Sequence, residues 1–238
     1  MQLVIIAAGE NKRLNSLTDG TPKTLLILKE KTILEYIIEN SIRSGIDHII
    51  IITGKFHNQI KKFVSNKHFQ VKIDFIYNSD WDKENGISVL KSKPLINKNS
   101  EFMISMSDHF YDEELFSKIY LYKLKNHIAS VGIDFKLQLI YDIDDAMKVK
   151  VDQKNNNKIK AMSKNLSKYN AVDCGLFKCN YKFFKVLEIS KVENKNNLSD
   201  SCNKLIAEKM MVGINIEESF WMDIDTPESY KKLKSYNI

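Results

Sequence analysis

Four short apolar runs in the first half of the chain constrain its fold more than any other feature. They are the segments 3–6, 48–53, 71–77 and 101–106. Runs of branched apolar residues are typical of strands buried on both faces. Between the first two runs, Ile33, Tyr36 and Ile37 recur at helical spacing. This alternation predicts an α/β fold around a doubly wound, mostly parallel sheet.

The loop that follows the first run has the properties of an anion-binding loop. Ala7, Ala8 and Gly9 carry almost no side chain, so a ligand can approach their backbone N–H groups. Arg13 can bind phosphate through two parallel hydrogen bonds, and Lys23 supplies a second positive charge. Ligands of doubly wound sheets bind beyond the carboxyl ends of the strands, where this loop lies. The loop therefore predicts a phosphate-binding site.

A carboxylate in a later segment is expected at the same edge. Asp108 comes soon after the run 101–106, and a carboxylate at the carboxyl edge of a buried strand faces the ligand crevice. Mg²⁺ prefers one or two carboxylates together with phosphate oxygens, so Asp108 is a candidate ligand. Asp223 and Asp225 form a D-x-D pair just before Thr226, a favoured helix N-cap.

The pattern changes in the second half of the chain. Strand-like segments at 130–141, 147–151, 159–162 and 169–177 surround a polar turn at 153–157. They predict a small β-rich insertion within a single domain covering residues 1–238. The insertion occupies about 128–209, and the α/β part occupies about 1–127 and 210–238.

Composition narrows the class of protein. The net charge is +6 and the pI about 9.0, but the lysines are spread along the chain, so we expect no nucleic-acid partner. No apolar run approaches the roughly 18 residues of a membrane span, and the first residues do not resemble a signal peptide. Cys174, Cys179 and Cys202 are odd in number and lack metal-binding spacing. Together these features predict a cytoplasmic protein.

Several motifs carry a family resemblance. The head, A-A-G-x-x-x-R-L followed by P-K-x-L-L, resembles the sugar-phosphate nucleotidyltransferase superfamily, as does the ending W-x-D-I-D-T-P-E-x-Y at 221–230. E-N-G-x-S-V-L at 84–90 and S-D-H-F at 107–110 resemble its CTP:inositol-1-phosphate and CTP:phosphonate cytidylyltransferases. The resemblance runs from residue 3 to about residue 231. Asn11 departs from it, because the superfamily usually has a second glycine there; asparagine tolerates a left-handed backbone.

The resemblance implies a fold and a role for each matching residue. The fold is a Rossmann-like, GT-A-like sheet, mixed but mostly parallel. Arg13 and Lys23 would be catalytic, acting on the β- and γ-phosphates and on the α-phosphate respectively. Mg²⁺ would be the cofactor, with Asp108 as its first ligand and Asp223 or Asp225 as the second. The part at about 1–127 and 210–238 would bind the nucleotide, and the insertion at about 128–209 would bind the acceptor. Residues implied in nucleotide binding are Ala7, Ala8, Gly9, Glu10, Asn11, Asn85, Gly86, Ser88 and Ser107. Residues implied in acceptor binding are Lys164, Asp173, His109 and Lys148.

The implied reaction is transfer of CMP from CTP to a small phosphonate or phosphomonoester, with release of pyrophosphate. Relatives that use inositol 1-phosphate mainly supply a thermophile solute or an inositol lipid, whereas 22 asparagines argue against a thermophile. The sequence therefore favours a phosphonate of the 2-aminoethyl or 2-hydroxyethyl type. Inositol 1-phosphate and phosphocholine stay open, with Trp81 or Tyr169 as an aromatic partner for a cationic amine.

A D-x-D glycosyltransferase is the alternative from another class. Arg13 and the pair Pro22-Lys23 argue against it, because they suit a triphosphate and a leaving pyrophosphate. The oligomeric state is open, and a homodimer is one expected assembly.

Overall fold

The computed structural model describes residues 1–10, 13–14 and 20–236. The predicted nucleotide-binding residue Asn11 lies outside these described residues. A nine-stranded sheet forms the centre of the molecule, with helices on both faces. Within the described part of the chain, no helix is long and apolar enough to cross a lipid bilayer.

Thirteen strands and seven α-helices are numbered here along the described chain. The strands are β1 Gln2–Ala7, β2 Ile27–Leu28, β3 Lys31–Thr32, β4 His48–Thr53, β5 Lys72–Tyr77, β6 Phe102–Met106, β7 His109–Tyr111, β8 Ala129–Asp134, β9 Lys148–Asp152, β10 Lys158–Ser163, β11 Ala171–Cys179, β12 Met211–Asn215 and β13 Trp221–Asp223. The helices are α1 Ile33–Arg43, α2 His57–Ser65, α3 Asn85–Lys91, α4 Glu113–Leu121, α5 Phe183–Val192, α6 Leu198–Ala207 and α7 Pro227–Ser235.

The large sheet has the strand order β5-β4-β1-β6-β11-β8-β12-β10-β9. Its first four strands are parallel, so their carboxyl ends meet at one edge. Strand β11 runs antiparallel to both β6 and β8, while β12 runs parallel to β8. The predicted α/β fold with a doubly wound, mixed sheet is therefore confirmed.

The strands of the β-rich region form a closed hydrogen-bonded circuit. Strand β9 pairs with β10 and with β11, and the circuit continues from β10 through β12 and β8 back to β11. These strands are continuous with the central sheet. Val172 at the start of β11 pairs with Lys148 at the start of β9, and Leu176 pairs with Ser105 of β6. The circuit thus brings the predicted acceptor region to the edge where β6 ends.

Two apolar layers cover the sheet. Leu3 and Ile5 of β1 pack with α1, α2, α4 and α7 on one face. Val4 of the same strand belongs to the other layer, with α3, α5 and α6. Strands buried on both faces in this way explain why the apolar runs are continuous rather than alternating.

Three boundaries that the sequence pattern predicts are wrong, two of them at tertiary contacts and one at a local turn. The pattern predicts a helix start near Ser88, but helix α3 begins at Asn85, whose side chain accepts a hydrogen bond from the N–H of Leu198 at 2.8 Å. The pattern also predicts a helix over 112–126, but helix α4 ends at Leu121, and the buried Lys178 ammonium donates to the carbonyl of Tyr120 at 2.6 Å near that end. Strand β8 ends at Asp134 rather than 141, because the Asp134 carboxylate accepts from the N–H of Lys136 at 2.8 Å and turns the chain.

Candidate active site

Three clefts open side by side at the carboxyl edge of the parallel strands. We name them the head cleft, of about 690 Å³, the bridge cleft, of about 600 Å³, and the acidic cleft, of about 830 Å³. Lys23 lines the head and bridge clefts, Asp225 the bridge and acidic clefts, and Asp108 the head and acidic clefts. These shared residues join the three clefts into one continuous site.

The ammonium of Lys23 lies at the point where the clefts meet. Its Nζ contacts a carboxylate oxygen of Asp108 and lies 2.7 Å from Oδ1 of Asp225. Burial alone would lower the pKa of Lys23, but the charges of Asp108 and Asp225 outweigh burial and raise it. Burial would likewise raise the pKa of Asp108, but Lys23 and His109 hold it well below its usual value. The site therefore contains a charged lysine that lies between the ionised Asp108 and the carboxylate of Asp225.

Arg13 connects the head of the chain to the β-rich region. Its guanidinium donates to Asp145 at 2.8 Å and to Asp225 at 2.6 Å. The other oxygen of Asp145 accepts from the ammonium of Lys164 at 2.6 Å. Asp145 thus bridges two cations that come from opposite sides of the site. Its hydrogen bonds to Lys164 and Arg13 outweigh burial and lower the pKa of the Asp145 carboxyl.

His109 holds Asp108 from the side opposite Lys23. The Nδ1 of His109 is 2.7 Å from Oδ1 of Asp108, and the imidazole stacks on Trp221 with ring centroids 5.7 Å apart. Gly175 has φ of +76°, and a Cβ there would lie 2.9 Å from the imidazole. Burial opposes the imidazolium form, but Asp108 outweighs burial and raises the pKa of His109. The predicted contact of His109 with an acceptor stays a prediction; the structure places it in the acidic cleft.

The pairing of β7 with β13 brings the D-x-D residues Asp223 and Asp225 close to Asp108. Asp223 pairs in register with His109, and the N–H of Ile224 donates to the carbonyl of Asp108 at 2.8 Å. Burial raises the pKa of Asp223; His109 counteracts this, and the neighbouring Asp225 and Asp108 raise it further. Closely spaced carboxylates that disfavour each other's charge are a donor set that a divalent cation would stabilise.

A ready-made metal centre is not visible in the described part of the chain, where no three His, Cys, Asp or Glu side chains are arranged to hold an ion. The carboxylates of Asp108 and Asp223 nevertheless fit Mg²⁺, which takes one or two carboxylates and completes its shell with water and phosphate oxygens. Asp108 and Asp225 both contact Lys23 as well. The residues therefore fit a metal whose remaining ligands are water and phosphate oxygens.

Most residues predicted to bind nucleotide lie around the head cleft. Its lining includes Ala7, Ala8, Gly9, Asn85, Ser88 and Ser107. A Cβ on Gly9 would meet nothing within 4 Å, so the backbone there faces open space. Glu10 lines the bridge cleft, and its carboxylate lies 2.8 Å from the ammonium of Lys55.

Two predicted positions are placed differently from the expectation. Gly86 does not line the head cleft, because its N–H donates to the carbonyl of Asn196 at 3.0 Å and a Cβ would lie 2.5 Å from that oxygen. Lys148 does not line the acidic cleft either. Its ammonium donates to the carbonyls of Asp144 and Lys164, both at 2.9 Å. Lys148 therefore holds together the two segments that carry Asp145 and Lys164.

Lys164 and Asp173 both line the acidic cleft, as the prediction of an acceptor region requires. Asp173 accepts a hydrogen bond from the N–H of Gly175 at 2.6 Å. Burial raises the pKa of Asp173 to about 6, against the lowering effects of that hydrogen bond and of His109. The acidic cleft therefore contains a buried carboxylate, and a ligand that donates hydrogen bonds to it would stabilise its ionised form.

Sequence reasoning missed the bridging role of Asp145 and did not predict which clefts Trp81 and Tyr169 line. Asp145 ends the acidic run 142–145, which precedes β9 and was a usable signal for a cleft-lining loop. Trp81 lines the head and bridge clefts rather than facing an acceptor in the acidic cleft. Tyr169 packs under the ammonium of Lys148, 5.7 Å from the ring centroid, rather than lining the acidic cleft. Neither side chain contributes to the acidic cleft.

Comparisons of this chain with known proteins point to one protein family. The family described as "Nucleotidyl transferase" matches residues 2–236. A relative named bifunctional IPC transferase and DIPP synthase, from Aquifex aeolicus, is 32% identical over 237 residues. That match covers 99% of this chain and 51% of the relative, so the chain spans about half of that protein's length.

Two further proteins add to this comparison. The CTP:phosphoglutamine cytidylyltransferase of Campylobacter jejuni is 27% identical over 215 residues, covering 85% of this chain and 83% of that protein. The structure of the inositol-1-phosphate CTP transferase from T. maritima superposes with a TM-score of 0.85 at 20% identity, covering 98% of this chain and 94% of the other. At that identity the superposition shows a shared fold.

Proposed function

Because the chain belongs to the nucleotidyl transferase family, we propose that it transfers a cytidylyl group from CTP to a small phosphorylated or phosphonate acceptor and releases pyrophosphate. The observation that carries this proposal is the position of Lys23 between Asp108 and Asp225, where the head, bridge and acidic clefts meet. A nucleotide in the head cleft and an acceptor in the acidic cleft would meet at this point.

The reaction needs charge stabilisation more than proton transfer. An oxygen of the acceptor phosphate, already an anion near neutral pH, attacks the α-phosphorus of CTP and forms a new P–O bond. The bond from the α-phosphorus to the bridging oxygen of the β-phosphate breaks, and pyrophosphate leaves with the electron pair. Lys23 would stabilise charge at the α-phosphate, and Arg13 would bind the β- and γ-phosphates. Preorganised charges of this kind usually contribute more to catalysis than any other single effect.

Asp108 and Asp223 would hold Mg²⁺ in this reaction. Such an ion supplies Lewis-acid polarisation of phosphate oxygens. Before substrates bind, the cations of the site are engaged by its own carboxylates, because Lys23 and Arg13 both contact Asp225. The triphosphate would take over these cations as it enters the bridge cleft.

The choice of CTP is supported by the relatives. The C. jejuni relative is named for CTP, as is the T. maritima structure that shares the fold. The D-x-D glycosyltransferase alternative is less well supported, because it leaves Arg13 and Lys23 without a triphosphate to bind.

The acceptor is proposed from the character of the acidic cleft. Lys164, Asp142 and Asp173 line this cleft; Lys164 would bind the acceptor phosphate, and the two aspartates would accept hydrogen bonds from hydroxyl or ammonium groups. Inositol 1-phosphate satisfies both requirements and is the first candidate, in line with the name of the T. maritima enzyme. A 2-aminoethyl- or 2-hydroxyethylphosphonate is the second. Phosphocholine is third, because the aromatic residues lining the described part of this cleft are His109 and Trp221, which stack on each other.

The test is a pyrophosphate-release screen of four nucleoside triphosphates against phosphoalcohols and phosphonates with Mg²⁺. We expect turnover with CTP and one acceptor class. Lys23→Ala and Asp108→Ala should each reduce turnover by a factor on the order of 10²–10³ while keeping the fold. The control is Lys61→Ala, an exposed lysine on α2, which should behave like the wild type. Undiminished turnover in either site variant would contradict the proposed roles.

A further inference from the structure

The head cleft has an aromatic wall whose position the proposed chemistry does not explain. Of the described residues that line this cleft, two are aromatic, Phe56 and Trp81. Trp81 also lines the bridge cleft together with Arg13 and Lys23. Its half-buried indole therefore lies beside the path from the interior of the head cleft to the phosphate-binding cations.

Trp81 is held in this position by its neighbours. A Cβ added to Gly54 would lie 2.3 Å from the Cβ of Trp81 and 2.4 Å from the carbonyl of Ala8, so the tryptophan packs directly on the backbone after β4. The ammonium of Lys55 lies 6.0 Å from the ring centroid of Trp81 and 2.8 Å from the carboxylate of Glu10. The Glu10–Lys55 pair thus connects the head loop to the outer side of the indole.

The segment that carries Trp81 is anchored by Asn78 and Asp80, just before the tryptophan. The N–H of Asn78 donates to the carbonyl of Thr53 at 2.8 Å, and its side chain donates to Ser88 at 3.1 Å. Asp80 accepts ion pairs from Lys83 at 2.9 Å and from Lys91 at 3.2 Å. A planar side chain on such an anchored turn is preorganised, so little conformational entropy is lost when a ligand stacks on it.

We propose that Trp81 is the platform on which the base of the nucleotide stacks, and that Gly54 and the Glu10–Lys55 pair keep it in place. This inference rests on the proposed nucleotide-binding function of the head cleft. Every nucleobase has a π face, so a stacking platform contributes affinity for all four bases. Selection of the base then depends on polar groups of the cleft such as Asn85 and Ser88.

The two tryptophans of the chain make a direct test feasible, because Trp221 lines the acidic cleft and Trp81 the other two. In the variant Trp221→Phe, Trp81 is the remaining tryptophan. Titration of this variant with CTP and Mg²⁺ should give a saturable change in fluorescence. Inorganic tripolyphosphate with Mg²⁺ should bind with a much smaller change, because it has no base to stack.

Titration calorimetry then measures how much Trp81 contributes to the affinity for CTP. Trp81→Ala should weaken CTP binding about tenfold or more, whereas the matched Trp81→Phe keeps an aromatic face and should stay close to the wild type. Tripolyphosphate should bind both variants as it binds the wild type. Equal affinity of Trp81→Ala and wild type for CTP would overturn the platform, as would an equal loss of CTP and tripolyphosphate binding.

The CTP-binding and pyrophosphate-release results together distinguish failure of the Trp81 platform from failure of the proposed function. If CTP binding depends on Trp81 but no acceptor yields pyrophosphate, the platform stands and the transferase proposal fails. If pyrophosphate is released and Trp81→Ala binds CTP normally, the platform fails alone. If the wild type binds no nucleoside triphosphate, both are overturned.

Discussion

At the scale of single residues, Asp173 is the side chain whose environment has the clearest consequence for solution behaviour. Burial raises its pKa from 3.8 to about 6. The folded protein therefore binds a proton that the unfolded chain has already released between about pH 4 and pH 6. By linkage, the stability that this carboxyl contributes is fully present below about pH 4 and is lost as pH rises through 6.

We therefore predict that Asp173→Asn removes this pH dependence. An amide is neutral at every pH, and its oxygen can still accept from the N–H of Gly175. At pH 7.5 the variant should be more stable than the wild type by up to about 3 kcal/mol, while the two should be equal near pH 4. Urea unfolding at both pH values measures the difference.

Asp142→Asn is the matched control for this prediction, because Asp142 lines the same cleft. It should keep the pH profile of the wild type. A constant stability difference between Asp173→Asn and wild type across the pH range would show that burial of the charged form is not the cause.

At the scale of elements, the sequence predicted where the strands end and much less of what the loops do. The apolar runs stop sharply at Ala7, Thr53, Tyr77 and Met106, where polar or small residues follow. Strand ends are therefore a local property of the sequence. The start of α3 was missed because it depends on a contact between Asn85 and residue 198, more than 100 positions away.

The residues of the candidate site also fall into two groups: those that sequence motifs predicted and those that tertiary packing places. The predictions for Lys23, Asp108 and Asp225 rested on motifs, and the structure brings these residues into contact. Asp145 and Trp81 lie on loops whose paths are determined by tertiary packing, so spacing alone could not place them. Lys148 was misplaced because a lysine in a strand pattern does not reveal whether its ammonium meets a ligand or a buried carbonyl.

Two glycines near the head cleft should respond oppositely to the same substitution. Gly54→Ala forces a methyl group against Trp81 and the carbonyl of Ala8, and overpacking of this kind costs about 1–3 kcal/mol. Gly9→Ala adds a methyl group in open space, so the fold should keep its stability while CTP binding weakens. Thermal unfolding and CTP titration of both variants measure the two effects. A fully stable Gly54→Ala protein would contradict the close packing of Trp81.

At the scale of the whole molecule, the ion pairs of the site are formed by side chains of the chain itself. Lys23 and Arg13 engage the carboxylates of Asp108, Asp145 and Asp225. We therefore predict that removal of divalent cations with EDTA stops pyrophosphate release but leaves the thermal unfolding midpoint nearly unchanged. Scanning calorimetry of EDTA-treated and Mg²⁺-supplemented protein tests this, with turnover restored by Mg²⁺ as the control. A large drop in the midpoint would show that the metal is part of the fold.

The ion pair between Lys23 and Asp225 joins residues 202 positions apart. A ribosome therefore has to deliver all the strands of the large sheet before that pair can form. Growing chains that stop short of this point leave the ammonium without one of its carboxylate partners and one apolar layer without Leu233 of α7. Fragments that end before Asp225 are therefore expected to be less stable than longer ones and to lack the assembled ammonium site.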